Sequence, residues 1–369
     1  MNGSDPAESP SADVFEKWPF LRGRAPIDWA AFVQVLKDRG RLEAAMQLAR
    51  QALQHPACNE KTRRRISGIF AQTVPEWHWN LVRDTRRNDA YDAALRRAVG
   101  PQSLVLDIGA GSGLLGMMAA RAGAGAVVSC EMNPVTASLA EDIVRRNGFS
   151  DRVRVVNRHS EALVAGPGGD LDRRADIMVS EIFGSDLLGE QVLPVHADTV
   201  SRLLRKGGQV IPALGDIMVA LGWFPGADHY RLGTHAGFDL SPFNVVSPPL
   251  VALRNTQEGL RVLSEPKPLF SFDFGRPESW PELRASVDVI AEGGQANAIL
   301  QWIRLVMDDS GAPDSVYEAK PDPDILSCWA VMATPLATPR ALRAGECLRI
   351  AGLRSECSLM VWLDAEGQG

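Results

Sequence analysis

The sequence predicts an α/β protein: a doubly wound parallel sheet, an antiparallel β domain behind it and a small helical segment in front. Three observations carry this. From residue 103 to about 212, apolar strands, a glycine loop and amphipathic helices alternate, as right-handed crossovers in a parallel sheet require. Past Pro212 the helical period disappears, and DIMVALGWF, ASVDVIA, AILQWIRLVM, LRIAGL and LMVWLD read as strands of an antiparallel sheet or barrel. Ahead of both, DWAAFVQVLKD and RLEAAMQLARQALQ carry helical periodicity on either side of Gly40.

In order, residues 1–25 are rich in Ser, Pro, Ala and Asp and read as a flexible lead-in. Residues 26–70 read as a helical hairpin. Its small residues Ala45, Ala49 and Ala52 share a face ahead of Pro56, in the manner of a tetratricopeptide unit. One such unit cannot bury its own face, so it docks on the main domain or offers a surface to a partner. Lys61-Thr62-Arg63-Arg64-Arg65 reads as a solvated helix face. Residues 71–212 hold the parallel sheet: LVLDI, the loop GAGSG, the helix LLGMMAARA, then VVSCE, a helix stopped by Gly148, RVRVV and DIMVSEI. Residues 213–369 form the β domain.

Composition narrows the function. With 39 basic and 45 acidic residues the net charge is −6, which disfavours nucleic acid and suits a cationic substrate. No apolar stretch is long enough to span a membrane, and the first residues lack the basic start and apolar run of a secretory leader. Five scattered cysteines without CxxC spacing argue against a disulfide framework or a bound metal, and for a reducing, cytoplasmic setting.

VLDIGAGSG carries the strongest local signal. Gly109, Gly111 and Gly113 let the backbone turn tightly and approach a ligand between strand and helix. Gly111-x-Gly113-x-x-Gly116, with Glu131 twenty residues on, fits a nicotinamide dinucleotide. Asp107 favours another ligand: a carboxylate at the end of the first strand repels a pyrophosphate, but suits the ammonium and sulfonium of S-adenosyl-L-methionine. Glu131 can grip ribose hydroxyls in either case.

The fourth strand runs into Glu181-Ile-Phe-Gly-Ser-Asp-Leu-Leu-Gly-Glu190, a loop beyond the carboxyl end of the sheet, where ligands bind. Glu181 and Glu190, with Gly184 and Gly189 between them, can fold back to face each other. A guanidinium asks for such a pair, because it stays charged and its planar fork matches carboxylates. Two carboxylates offset its repulsion from a sulfonium and leave one terminal nitrogen with a lone pair toward the methyl group.

In combination these motifs resemble those of the protein arginine methyltransferases, from about Trp77 to the C-terminus. The resemblance implies a Rossmann-like class I methyltransferase domain, a proline junction, a β-barrel with a dimerisation arm, and S-adenosyl-L-methionine as cofactor. By position, Asp107, Gly109 and Gly111 would surround the methionyl moiety and Glu131 would hold the ribose. VVNRHSEAL matches the adenine-binding turn and implicates Ser160 and Glu161. The helix from His78 to Arg87 matches the lid over the cofactor, in which Arg87 would pair with the methionyl carboxylate and His78 would line the site. Glu181 and Glu190 match the catalytic pair. GFDLSPFN falls where the arm is expected, implying a homodimer through residues near 226–250.

One departure stands out. The family's late barrel motif has a His-Trp pair, and here the stretch reads Ser327-Cys328-Trp329. That histidine commonly pairs with the aspartate that matches Asp84, a salt bridge a thiol cannot supply. Cys328 therefore reads as a packing residue, and Trp329 as a wall of the guanidinium pocket. The lid, the HSE stretch and the helical front end lean toward the tetratricopeptide-bearing and monomethylating branches. Those usually carry two catalytic-type modules, and one is present here. A bacterial relative with one short module, as in streptozotocin biosynthesis, acts on free L-arginine. The expected activity is N-methylation of the arginine guanidino group, tilted toward free L-arginine. Peptidyl arginine and a non-catalytic scaffold are the alternatives.

Overall fold

The structure is a computed structural model and describes residues 11–71 and 73–364. Helices α1 (Ser11–Lys17), α2 (Pro26–Asp38), α3 (Leu42–Gln54) and α4 (Glu60–Phe70) form a layer with its own core. Trp29, Val33 and Leu36 of α2 meet Ala45, Leu48, Ala49 and Ala52 of α3, the alanines leaving room for close approach, and Ile66 and Ile69 of α4 close the cluster. Residues 26–70 thus hold three helices rather than the expected hairpin of two, and α1 adds a fourth. Asn59 starts α4 by accepting the Thr62 N–H at 3.0 Å, and Lys61, Arg63, Arg64 and Arg65 lie exposed on it, as read. Of the expected lead-in, residues 1–10 lie outside the described residues. The rest contains α1 and buries Val14, Trp18 and Leu21, so apolar anchors override the Ser/Pro bias.

Helices α5 (Trp77–Arg83) and α6 (Thr85–Ala98) lead into the parallel sheet. It is built from β1 (Leu104–Ile108), α7 (Leu114–Arg121), β2 (Ala126–Cys130), α8 (Pro134–Arg146), β3 (Val153–Val156), β4 (Ala175–Ser180), α9 (Val192–Arg202) and β5 (Leu204–Ile211). The strand order is β3-β2-β1-β4-β5, every pair parallel. All five residues of β1 are buried, as a run covered on both faces must be. The order reverses between β1 and β4, and the crevice beyond the strand ends opens there. The helical layer docks on this domain through α3: Arg50 Nε lies 2.7 Å from Asp142 on α8, and its guanidinium also donates to the Ser138 carbonyl.

A cis Ile211–Pro212 bond leads into the antiparallel part. Its strands are β6 (Leu214–Trp223), β7 (Thr234–His235), β8 (Phe238–Asp239), β9 (Val251–Leu253), β10 (Arg261–Val262), β11 (Lys267–Asp273), β12 (Arg284–Ile290), β13 (Gly294–Val306), β14 (Val316–Glu318), β15 (Val331–Leu342), β16 (Cys347–Arg354) and β17 (Leu359–Asp364). A seven-stranded sheet runs β10-β6-β13-β15-β9, with β11 along β6 and β14 along β13; β12-β16-β17 form a second sheet and β7-β8 a hairpin. One apolar core runs through both domains. Phe183 and Leu187, just after β4, share it with Phe270, Phe272, Phe274, Tyr317 and Trp329. Among the described residues no helix is long and apolar enough to cross a membrane.

Candidate active site

A cavity of about 500 Å³ opens at the carboxyl ends of β1, β2 and β4. Its walls are the glycine loop, the turn after β2, the loop after β4, helix α5, and Cys328 and Trp329 from the antiparallel domain. His78, Arg87, Gly109, Gly111, Glu131, Ser160, Glu181, Glu190, Cys328 and Trp329 all line it, so ten of the twelve residues named from the sequence converge.

Asp107 and Glu161 do not line it. Asp107 is fully buried beneath the loop, where Oδ2 accepts the Gly116 N–H (3.1 Å) and the Ser129 hydroxyl (2.9 Å), while Oδ1 has no partner. Burial pushes its pKa up to about 7 despite those two donors. Glu161 is exposed, and its backbone N–H donates to His159 Nδ1 at 3.4 Å.

Gly111 shows why the loop needs glycine. Its φ is +52°, and a Cβ there would come within 2.8 Å of His78 Cε1 on α5. Helix α5 can lie this close only over a bare backbone. His78 is held below its ordinary range by burial and by Arg87, and is therefore neutral near pH 7. Glu131 Oε2 accepts the Gly111 N–H (2.9 Å) and Oε1 the Asn133 N–H (2.8 Å), tying the first two strand ends together. Burial raises its pKa against those donors.

The centre of the site is an ion pair. Asp84 caps α6 by accepting the Arg87 N–H on Oδ1 at 3.0 Å, which sets the rotation of the helix. Arg87 then projects inward, its Nη2 3.0 Å from Glu181 Oε2, with the two side chains 2% and 4% exposed. Arg87 Nη1 donates to Asn88 Oδ1 at 2.7 Å. Tyr91, one turn on, places its ring 5.1 Å from the guanidinium and donates its hydroxyl to the Ser180 carbonyl (2.9 Å). Burial alone would lower the Arg87 pKa, but Glu181, Tyr91, Cys328 and Asp84 together outweigh it and hold it above its ordinary value; Glu181 itself sits above the usual carboxylate range because burial outweighs Arg87. Arg87 Nε and Glu181 Oε1 remain buried without partners. Such orphaned polar atoms on a cavity wall call for a ligand that pairs with them.

Glu190 is reached differently. The loop after β4 holds Leu187, Glu190 and Gln191 at φ of 67°, 57° and 58°, a conformation that costs side-chain-bearing residues energy. It leaves Glu190 exposed on the cavity wall, within electrostatic reach of Glu181. The antiparallel domain pins the other end of this loop: Trp329 Nε1 donates to the Phe183 carbonyl (2.8 Å) and the Ala330 N–H to Ser185 Oγ (2.9 Å).

Two tyrosines escaped sequence reasoning. Tyr91 carried a usable signal, the i, i+4 spacing from Arg87 on one helix. Tyr317 carried none, since it meets Asp84 across 233 residues of chain.

Comparison with known proteins identifies this arrangement. The chain is 35% identical over 287 residues to the arginine N(omega)-methyltransferase of Streptomyces achromogenes subsp. streptozoticus, covering 76% of this chain and 77% of that one. The chain belongs to the arginine N-methyltransferases. It is accordingly an S-adenosyl-L-methionine-dependent enzyme that methylates arginine. The family model for ribosomal protein L11 methyltransferase (PrmA) also matches residues 93–213, the stretch of the parallel sheet. Protein arginine N-methyltransferase 7 of Anopheles gambiae is 33% identical over 259 residues, and that of Oryza sativa subsp. indica 35% over 256. Both matches cover 63% of this chain but only 37% and 35% of those longer proteins. In fold, the chain is similar to the Trypanosoma brucei PRMT1 enzyme–prozyme heterotetramer with AdoHcy (TM-score 0.69, 22% identity, 81% of this chain and 96% of that one). It is also similar to Arabidopsis thaliana protein arginine methyltransferase 10 (TM-score 0.63, 20% identity, 77% and 89%). The expected Rossmann-like domain, antiparallel β domain and helical front end are all present.

Proposed function

We propose that this arginine methyltransferase acts on free L-arginine, forming N-omega-methyl-L-arginine, and works as a homodimer. The observation that carries the site assignment is Glu181: a buried carboxylate with one oxygen on Arg87 and the other unpaired, in the same cavity as the exposed Glu190. When bound, S-adenosyl-L-methionine supplies a methyl group on a sulfonium. The residues fit it, because Arg87 Nε is an orphaned donor that a carboxylate would satisfy, Glu131 suits ribose hydroxyls, and Ser160 and His78 line the cavity. Asp107 serves this site from beneath, by bracing the glycine loop, and Glu161 through its backbone in the turn.

Glu181 and Glu190 hold the guanidinium between them, and Trp329 walls it. Fixed carboxylates keep the positive charge on the nitrogens they face, so the remaining nitrogen keeps its lone pair toward the methyl group. Rate then comes from alignment and preorganised charge. The proton released on transfer leaves through Glu190, the carboxylate open to solvent.

Free arginine is favoured because the Streptomyces relative, named for arginine itself, is matched over about three quarters of both chains. The homodimer reading rests on residues 226–250, where Phe238, Phe243, Val245 and Val246 are 64–89% exposed. Peptidyl arginine is the second reading, favoured by the 32–35% identity to the protein arginine methyltransferases. The test offers methyl-labelled S-adenosyl-L-methionine with L-arginine and an Arg-Gly-rich peptide together. Label on L-arginine is expected. Label on the peptide alone moves the assignment to the second reading, and label on neither leaves a scaffold.

A further inference from the structure

The antiparallel domain touches the start of α6 through one buried anion. Asp84 is 8% exposed, and among the described residues no Lys, Arg or His forms an ion pair with it. Its Oδ1 is occupied by the Arg87 N–H. Its Oδ2 accepts the Tyr317 hydroxyl and the Cys328 N–H (2.9 Å), and the Cys328 thiol lies beside it. Because the single hydroxyl proton of Tyr317 is donated to Asp84, the Ser327 hydroxyl donates to the phenol oxygen (2.8 Å) and in turn accepts the Trp329 N–H (3.1 Å).

We propose that Tyr317 is a positioning residue for methyl transfer: its hydroxyl on Asp84 fixes the first turn of α6, and so the Arg87–Glu181 pair, against the acidic loop. This rests on the functional reading above. Tyr317 is suited to it. It is 1% exposed, sits on β14 with Leu305 of β13 opposite, and is packed by the Trp329 ring edge-on at 5.3 Å and by the Arg86 guanidinium at 5.5 Å. Its hydroxyl is thus held by the sheet rather than by a mobile side chain. The stretch 327–330 then grips both ends of the ion pair. Tyr317, Ser327 and the Cys328 N–H act on the Asp84 side, and Trp329 and Ala330 on Phe183 and Ser185. Cys328, where the resemblance led one to expect histidine, leaves the two domains joined at Asp84, because a neutral phenol replaces the imidazolium. Burial holds that phenol protonated, well above its usual range.

The test compares Tyr317→Phe with Tyr317→Phe/Cys328→His, which returns a donor to the side chain facing Asp84. Each full-length variant is read by kcat and KM for arginine and by hydrogen exchange of the amides opening α6. Losing a hydrogen bond to a charged group costs roughly a tenfold to hundredfold factor. Tyr317→Phe is expected to lower kcat by that factor with little change in KM and to speed exchange at Arg87, and the double variant to recover most of both. Should Tyr317→Phe fold poorly, Asp84→Asn, which keeps the cap but weakens the acceptor, is expected to show the same pattern at smaller size. Unchanged exchange, faster exchange with unchanged kcat, or a folded double variant without recovery overturns the proposal. If the unsubstituted chain methylates no form of arginine, the functional reading fails. Loss and recovery of protection at α6 then still decide the coupling.

Discussion

Glu181→Gln separates the energetics of the ion pair from its chemistry. At 3.0 Å the pair's attraction is about 5.5 kcal/mol with an effective dielectric constant near 20, an upper bound before desolvation is counted. Glutamine fills the same space and can accept one hydrogen bond, but it leaves the Arg87 charge with only Asn88 Oδ1 and the Tyr91 ring. Breaking one side of a buried pair costs about 3–5 kcal/mol, so a loss near 3 kcal/mol is expected in urea unfolding of the cofactor-free chain. Turnover is expected to fall by a factor on the order of 10² to 10³, as when one preorganised electrostatic contact is removed from an active site. The Arg87→Met/Glu181→Leu double variant provides the control. It buries no unpaired charge, so its stability is expected above that of Glu181→Gln, while its turnover falls at least as far. A Glu181→Gln enzyme of full stability and full turnover refutes both roles. A double variant whose loss equals the sum of Arg87→Met and Glu181→Leu refutes the coupled pair.

Three further outcomes follow from the geometry. Glu190→Gly relieves a left-handed φ of 57° on an exposed residue, so it is expected to raise the unfolding free energy by up to about 1 kcal/mol in urea melts while abolishing methyl transfer. Asp107 has a native pKa near 7 against an ordinary 3.8, so the native state keeps a proton that the unfolded chain releases between those values. Its stabilisation is present below pH 4 and is lost as pH rises through 7, by up to about 4 kcal/mol, and Asp107→Asn should flatten that slope in urea melts from pH 5 to 8. Replacing both Phe243 and Val245, 67% and 89% exposed, by Asp is expected to turn a dimer into a monomer in sedimentation, weakening association at least about a hundredfold. A wild-type chain that sediments as a monomer would dismiss the arm.

How much of this was legible depended on distance along the chain. The glycine loop, Glu131 and the Glu181–Glu190 loop were readable because strand, turn and helix are local and ligand-binding loops follow strand ends. Arg87 and His78 became readable only through the family resemblance, since alone they lie on an ordinary basic amphipathic helix. Asp107 was read as facing the ligand. Yet the strand's pleat turns it under the loop, where the Gly116 N–H and the Ser129 hydroxyl hold it. The basic run of α4 was legible as a helix face, but not its share in the core, because Thr62, Ile66 and Ile69 are all that the helix buries, and Thr62 sits within the run that was read as solvated. Tyr317 was illegible because its contact with Asp84 is made by tertiary packing, not by any period.

The central claim, arginine N-methylation carried by the two glutamates, is tested most directly by mass spectrometry of L-arginine incubated with S-adenosyl-L-methionine and either the unsubstituted chain or Glu181→Gln. The expected result is arginine heavier by one methylene with the unsubstituted chain, formed at least about a hundredfold more slowly by the variant. Equal methylation by both would contradict the assignment of the site, and unmodified arginine from both would contradict free L-arginine as the substrate.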